Sequence, residues 1–355
     1  MEGKMSDKAT HDEYLKLYDA AIRFKAIEAW QWMNDDMLFA VHEPQNNELG
    51  YCTVIGALGE VLGLIVYMGQ PGFESFKMVR KSMSKNKLTD EEVHWAWNLQ
   101  DCISLTFEDR KYLSKEDINV IKELGLKFRG RNAYPLFRRL KPYYMPWFLT
   151  RQECIFMTTA IEQAIEVCLM AKNNEHLLSK PLREGYCLTR YFDNGIWKER
   201  LQSLDVPTEG RKISVSVNEL KLTSIKKNSV RTNTKWEIDF FADYNMPIKG
   251  DKNPYYPIVT LIADHSTGHI FNAHLSEYNN CFQAIADNFL AFMEKISVIP
   301  KEILVEKDEM ILTFKPATDM LGIKLTKVGK CRMVEKAKKS LREFEKKRFR
   351  GDRRF

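Results

Sequence analysis

Apolar positions along the chain recur at two spacings, one helical and one alternating. Between Glu13 and Trp32, the residues Leu17, Ala20, Ala21, Phe24, Ile27 and Ala29 keep close to helical spacing, with Lys16, Arg23 and Lys25 between them. This predicts an amphipathic opening helix. Met37 to His42 reads as a strand, and YCTVIGALGEVLGLIVYMG as two strands joined around Ala57 to Glu60, with glycines where the chain turns. A helix over Phe73 to Ser82 would cover one face of these strands. From Thr89 the pattern turns mostly helical, with capping signals in TDEE and in SKED near Ser114. GLKFRGRNAYPLFRRLKPYYMPW, from Gly125 to Trp147, reads as a compact irregular segment, and Arg151 to Lys172 as a long helix closing a first domain.

Turn chemistry then clusters in NNEH, SKP, DNG and VPTEG, which marks residues 173–210 as a connection. Beyond it, ISVSV and ELKLTSI read as strands and KKNSVRTNTK as a polar loop. Strands follow at Lys235 to Tyr244, Pro257 to Asp264 and Ile270 to Leu275, the last two joined by the tight turn HSTGH. A helix over Asn280 to Ile296, the strand EILVE, a helix over Lys315 to Leu321, the strand IKLTKV and a basic helix from Arg332 complete the order. The fold class is α+β. A helix-rich domain with a small antiparallel sheet spans 1–172, a mixed-sheet α/β domain spans 211–345, and a basic tail spans 346–355.

Length supports two cores: 355 residues exceed what one domain usually needs, and 44% hydrophobic content can fill both. The polar start MEGKMSDKATHDEYLK lacks the apolar centre of a secretory signal. The most apolar stretch, Val54 to Gly69, is interrupted by Glu60 and by glycines, so no membrane association is expected. Seven scattered cysteines without a CxxC pair suit reduced thiols in a cytoplasm. The net charge of +6 is unevenly placed: Lys330 to Phe355 hold 12 Lys and Arg against 4 Asp and Glu, +8, which leaves 6 − 8 = −2 for the rest.

The strand and helix order of residues 235–345 resembles the ribonuclease-H-like fold, and WEIDFF, ILVEKD, MVEKAKKSL and LIADHSTG resemble its integrase and transposase branch. That resemblance implies Asp239, Glu306 (or Asp308 in its place) and Glu335 as ligands of two divalent ions, Mg or Mn, in a nuclease or strand-transfer enzyme. Two ions held a few ångströms apart would clamp the attacking and leaving oxygens of a phosphodiester. The sequence departs from that pattern, with Glu in place of the usual second Asp and without the Asn-Gly that follows it. The alternative is a non-catalytic interaction or regulatory protein needing no cofactor, in which Glu306 ends a strand and Glu335 pairs with neighbouring lysines. A wider resemblance points the same way. The hairpin string, LGLKFRGRNAYPLFRRLKPYYMPW, YYPIVTLIADHSTGHI, IPKEILVEKDEM and LGIKL resemble a bacterial two-domain family that joins two domains of unknown function.

Three further features carry candidate chemistry. His265, His269 and His274, with Asp264, straddle one hairpin and offer zinc-ligand types, although an alternating strand need not aim them at one point. Arg129, Arg131, Arg138, Arg139 and Lys141 interleave with Phe128, Tyr134, Phe137, Tyr143, Tyr144 and Trp147, a composition that suits either a stacking platform for single-stranded nucleic acid or a packed loop. Lys338, Lys339, Arg342, Lys346, Lys347, Arg348, Arg350, Arg353 and Arg354 form a basic run that would attract phosphate backbones, or would simply be a solvated helix end. The partners expected are nucleic acid through this run and an unidentified protein. The sequence contains no GxGxxG, Walker, GxSxG, HExxH or EF-hand string, which removes the standard nucleotide-dependent and serine-hydrolase motifs.

Overall fold

The computed structural model describes residues 8–45, 48–59, 61–83, 98–205, 213–250 and 253–351, with residues 345–351 described by backbone alone. The chain divides into two units, Met1–Thr208 and Glu209–Phe355.

In the N-terminal unit the order is α1 (His11–Ile27), β1 (Leu38–His42), β2 (Leu49–Ile55), β3 (Leu62–Met68), α2 (Gly69–Met83), β4 (Cys102–Glu108), α3 (Lys115–Glu123), β5 (Tyr134–Leu140), α4 (Arg151–Asn173), α5 (His176–Arg183), β6 (Tyr186–Asp193) and β7 (Ile196–Ser203). Seven strands form one sheet in the order β5-β4-β3-β2-β1-β6-β7. Every pairing is antiparallel except that of β1 with β6. Alternation sorts the strands' side chains onto two faces. Phe39, Val41, Cys52, Val54, Leu64, Val66, Ile103, Leu105 and Phe107 meet α1 and α4, whereas Leu38, Ala40, Tyr51, Ile65 and Tyr67 meet Phe73 of α2. Gly50 permits this packing, because a Cβ there would lie 2.7 Å from the Phe156 ring of α4 and 2.6 Å from Val66. Among the described residues α4 is the one helix long and apolar enough to cross a bilayer, and 56% of its most apolar window is buried within the protein.

Several expectations change here. Of residues 173–210, expected as a connection, 173–205 instead supply α5 and the hairpin of β6 and β7, which extends the first sheet, and VPTEG lies outside the described residues. Polar turn residues such as Asp193-Asn-Gly195 mark the hairpin's own turn, where Asn194 and Gly195 both take positive φ. Among the described residues after Thr89, strand β4 stands where helix was expected, and TDEE lies outside the described residues. The segment expected as irregular contains β5, paired along its whole length with β4.

The capping signals also explain the arginines of that segment. Thr10, Ser114 and Thr150 open α1, α3 and α4 with reciprocal boxes whose acids are Glu13, Asp117 and Glu153. Each acid also receives an arginine: Arg151 reaches Glu13 at 2.8 Å, Arg138 reaches Asp117 at 2.7 Å, and Arg139 reaches Glu153 at 2.8 Å. Arg139 is also paired with Asp101. Phe128, Tyr134 and Phe137 pack against the core. The arginines and aromatics named here therefore belong to helix starts and core walls, as the packed-loop alternative holds.

The C-terminal unit contains α6 (Glu219–Asn228), β8 (Val230–Arg231), β9 (Lys235–Ala242), β10 (Ile258–Asp264), β11 (Ile270–Ser276), α7 (Cys281–Ile296), β12 (Val298–Ile299), β13 (Glu302–Val305), α8 (Asp308–Leu321), β14 (Lys324–Lys327) and α9 (Arg332–Gly351). ELKLTSI, expected as a strand, is helix α6. Asn218 caps it by accepting from the Lys221 N–H at 3.0 Å, and it buries only Leu222 and Ile225, a one-sided pattern that suits a surface helix. The main sheet runs β11-β10-β9-β13-β14, with β10 antiparallel to both its neighbours and β9, β13 and β14 parallel. One face carries Trp236, Ile238 and Phe240, whose rings meet Phe292 and Phe282 of α7. The opposite face carries Glu237, Asp239 and Phe241, and here Phe241, Val259, Leu261 and Ala263 pack against Cys331 and Val334 at the start of α9.

Candidate functional site in the C-terminal unit

Strand alternation decides what the acids of WEIDFF can do. Glu237 and Asp239 are two residues apart on the central strand, so both point toward α9, and both are buried, at 1% and 3% exposure. β13 pairs in parallel with β9 at Leu304↔Glu237, and Glu306 follows the end of that strand on the same side. The fold therefore brings Asp239 and Glu306 into one neighbourhood, and the negative charge of Glu306 acts on Asp239.

Each carboxylate has a protein partner. The Lys307 ammonium donates to both oxygens of Asp239, at 2.5 and 2.6 Å, and to the Phe240 carbonyl at 2.8 Å. It also lies 4.6 Å from the Phe240 ring centre. Burial raises the Asp239 carboxyl above its ordinary range, and Lys307 pulls against that rise. Glu306 accepts from the Cys331 backbone N–H at 3.3 Å. Glu237 accepts from the backbone N–H groups of Met333 at 2.7 Å and Val334 at 3.2 Å, while His265 Nδ1 lies 2.7 Å from its other oxygen. The first N–H groups of a helix have no partner within the helix and favour negative charge, so Glu237 and Glu306 anchor the start of α9 to the sheet.

Glu335 stands one turn further along α9, with Lys338 at 3.3 Å and Lys330 at 3.8 Å. Asp308 pairs with Lys327 at 2.6 Å. Cys331 lies among the sheet acids: burial and the charges of Asp239, Glu237 and Glu306 push its thiol up to about 12, so it stays protonated near neutrality. A pair of divalent ions needs open carboxylate oxygens, whereas here the Lys307 ammonium holds both oxygens of Asp239 and the Cys331 N–H holds one oxygen of Glu306. Among the described residues, no group of three or more His, Cys, Asp or Glu is placed to hold a metal ion.

The hairpin histidines go separate ways. His265 meets Glu237, His269 meets the Phe271 ring edge-on, and His274 sits opposite Thr260, where burial lowers its pKa. Asp264 folds the turn by accepting from the N–H groups of Ser266 and Thr267 at 2.9 and 2.7 Å. On α9, Lys338 is half-buried between Glu335 and the Phe241 ring, whereas Arg332, Lys336 and Lys339 are exposed. The backbone of α9 runs on to Gly351, so residues expected as the beginning of a tail are helical. The side chains of Lys346, Lys347, Arg348 and Arg350, and all of Arg353 and Arg354, lie outside the described residues.

Glu237, Lys307 and Cys331 were not singled out by sequence, and His265 was singled out only as a zinc-ligand type beside His269, His274 and Asp264, not as a partner of Glu237. Period-two alternation from Asp239 was signal enough for Glu237. Lys307 follows the strand-end acid directly, but nothing local reports that its side chain turns back to Asp239.

Residues 14–190 match the model of a domain of unknown function, DUF7309, and residues 221–342 that of a second, DUF6930. No curated protein and no solved structure matches the chain. The two matches fall one in each structural unit, and the chain belongs to a two-domain family that joins a DUF7309 domain to a DUF6930 domain.

Proposed function

We propose that this is a non-catalytic interaction or regulatory protein, working in a reducing cell interior, whose C-terminal unit is a degenerate ribonuclease-H-like domain that meets nucleic acid through α9. The strand order third, second, first, fourth, fifth, with helices on both faces, supports the fold assignment. All seven cysteines are buried free thiols, which suits the compartment.

The observation that carries the non-catalytic part is the Lys307 ammonium on both oxygens of Asp239. In a two-ion nuclease this carboxylate is the central ligand. Here a fixed side-chain cation supplies the positive charge, so a metal would have to displace a hydrogen-bonded ammonium from a buried site. With Glu237 and Glu306 engaged at the start of α9, the acidic cluster holds a helix on a sheet.

Arg332, Lys336 and Lys339 recur at helical spacing and are exposed, a stripe suited to a phosphate backbone. The test is fluorescence anisotropy of labelled single-stranded and duplex DNA across a salt series, using the intact chain and Arg332→Gln/Lys336→Gln/Lys339→Gln. Binding by the intact chain should weaken steeply with salt, and the triple variant should lower the log–log slope by about 2–3, roughly one unit per lost phosphate contact. Absence of salt-dependent binding would remove nucleic acid as the partner, and an unchanged slope would remove this stripe of α9 as the contact.

A further inference from the structure

The two main sheets end on the edge strands β5, β7, β11 and β14. A free edge offers its backbone to another chain, and charged residues or proline blunt it. β5 (YPLFRRL) carries Pro135, Arg138 and Arg139, and Arg139 is bridged to Trp147. β7 (IWKERLQS) carries Lys198, Glu199 and Arg200, and β14 (KLTK) has a lysine at each end. β11 (IFNAHLS) contains no proline and no Lys, Arg, Asp or Glu. Its bulge lies at its start, opposite Ile262 and Ala263, which leaves 272–276 in regular register. Among the described residues β11 pairs with β10 alone. Ala273 is exposed, and Phe271 and Leu275 are 37% and 48% exposed.

The polar residues of β11 share one face. Thr260 lies opposite Phe240 on one side and His274 on the other, so Asn272, His274 and Ser276 face the α7 side of the sheet. Asn272 Oδ1, His274 Nε2, Ser276 Oγ and Thr260 Oγ1 are buried without a hydrogen-bond partner. Such atoms cost about 1–3 kcal/mol each when unmet. Burial lowers the His274 pKa, so its imidazole is neutral near pH 7 and carries one N–H and one acceptor nitrogen.

We infer that β11 is a self-association surface, on which two copies of this chain pair antiparallel about a two-fold axis at Ala273 and join their five-stranded sheets into one. The strand is complementary to itself in this register, as a two-fold interface requires. Ala273 meets its own copy, so the axis is uncrowded and no like charges oppose. Asn272 falls opposite His274 of the second copy, and His274 opposite its Asn272. A turn of these side chains toward the seam gives each unmet amide oxygen an imidazole N–H. Phe271 and Leu275 add apolar surface along the seam. Because the two-fold axis stands across the sheet, equivalent faces stay together and both α9 helices lie on one side. The pairing does not depend on whether α9 meets nucleic acid.

Sedimentation equilibrium of the full chain should give twice the 41.6 kDa of one copy, with the mass falling on dilution. Like charges directly opposite one another destabilise a strand pair, and opposite charges support it. Ala273→Lys and Ala273→Glu each change one exposed side chain, and each variant alone should sediment as a single copy. An equimolar mixture of the two should recover the doubled mass. Leu201→Lys, on the charged edge β7, should leave the doubled mass unchanged. Circular dichroism melting confirms that each variant is folded. The inference is overturned if the intact chain remains a single copy at high concentration or if a folded Ala273 variant keeps the doubled mass alone. It is equally overturned if the mixture fails to recover that mass or if Leu201→Lys abolishes it.

Discussion

Replacing Lys307 with Met keeps the length of the side chain and removes its charge, leaving the Asp239 carboxylate 3% exposed without its cation. Removing one partner of a buried ion pair costs about 3–5 kcal/mol. The Lys307 side chain is 34% exposed, so water already weakens the pair, and the expected loss at pH 7 is about 2–3 kcal/mol. The loss must depend on pH. Burial already raises Asp239 above its unfolded value of 3.8, and without Lys307 its folded pKa rises further. A group whose folded pKa is raised contributes stability that is intact below the unfolded pKa and lost as pH rises through the folded one. The variant should therefore approach the parent near pH 4 and fall behind above it, by up to about 1.4 kcal/mol per pH unit. Amide hydrogen exchange of the full chain, read by mass spectrometry at matched pH, reports this locally. Peptides covering β9 and β13 should exchange about 30- to 150-fold faster in the variant at pH 7, since 1.4 kcal/mol is a factor of ten. Asp239→Leu/Lys307→Met, which removes both charges, should recover most of the loss. A deficit below about 0.5 kcal/mol, or one independent of pH, would mean that Lys307 swings into solvent and does not neutralise Asp239.

Glu237→Gln should loosen the start of α9 by about 1–2 kcal/mol, because its carboxylate serves two backbone N–H groups, and exchange should rise at Met333 and Val334 with β14 unaffected. Glu302 is held down to about 2 by hydrogen bonds from Lys235, Thr326 and Lys324. A depressed carboxylate gives stability that is present above its unfolded pKa, here 4.5, and lost as pH falls toward 2. Glu302→Gln should therefore cost about 1–2 kcal/mol at pH 6, after discounting the exposed lysines, and almost nothing at pH 2, measured by exchange in β13. Native protein should leave all seven thiols unreacted with a disulfide reagent at pH 8, whereas denatured protein should titrate all of them; early labelling of Cys331 would contradict its burial beside the acids.

Most elements of the C-terminal unit are legible in the sequence because each side-chain period runs long enough to be read. β9 to β11, α7 and α9 follow directly from apolar spacing. ELKLTSI misleads because two leucines at alternate positions satisfy a strand, and the decisive signal is Asn218 one residue before it, a cap. In the N-terminal unit, β5 is hidden by Arg138 and Arg139, whereas β4, CISLTFE, is a short apolar run that periodicity alone does not separate from a buried helix. Arg138 and Arg139 look like surface or ligand residues until their acid partners, distant in sequence, are brought beside them by the fold. The neighbourhood of Asp239 and Glu306 is legible from strand order alone. Its chemistry is not, because a lysine adjacent to an acid in sequence carries no record of where its four-carbon arm reaches.

The most direct test of a non-catalytic C-terminal unit is manganese-dependent cleavage of labelled single-stranded DNA, duplex DNA and RNA–DNA hybrid by the intact chain, with Asp239→Asn and Glu335→Gln prepared in parallel. With Lys307 on Asp239 and α9 held by Glu237 and Glu306, the intact chain should cleave none of them above the level of the two variants. Cleavage present in the intact chain and lost in both folded variants would make these carboxylates metal ligands and contradict the account.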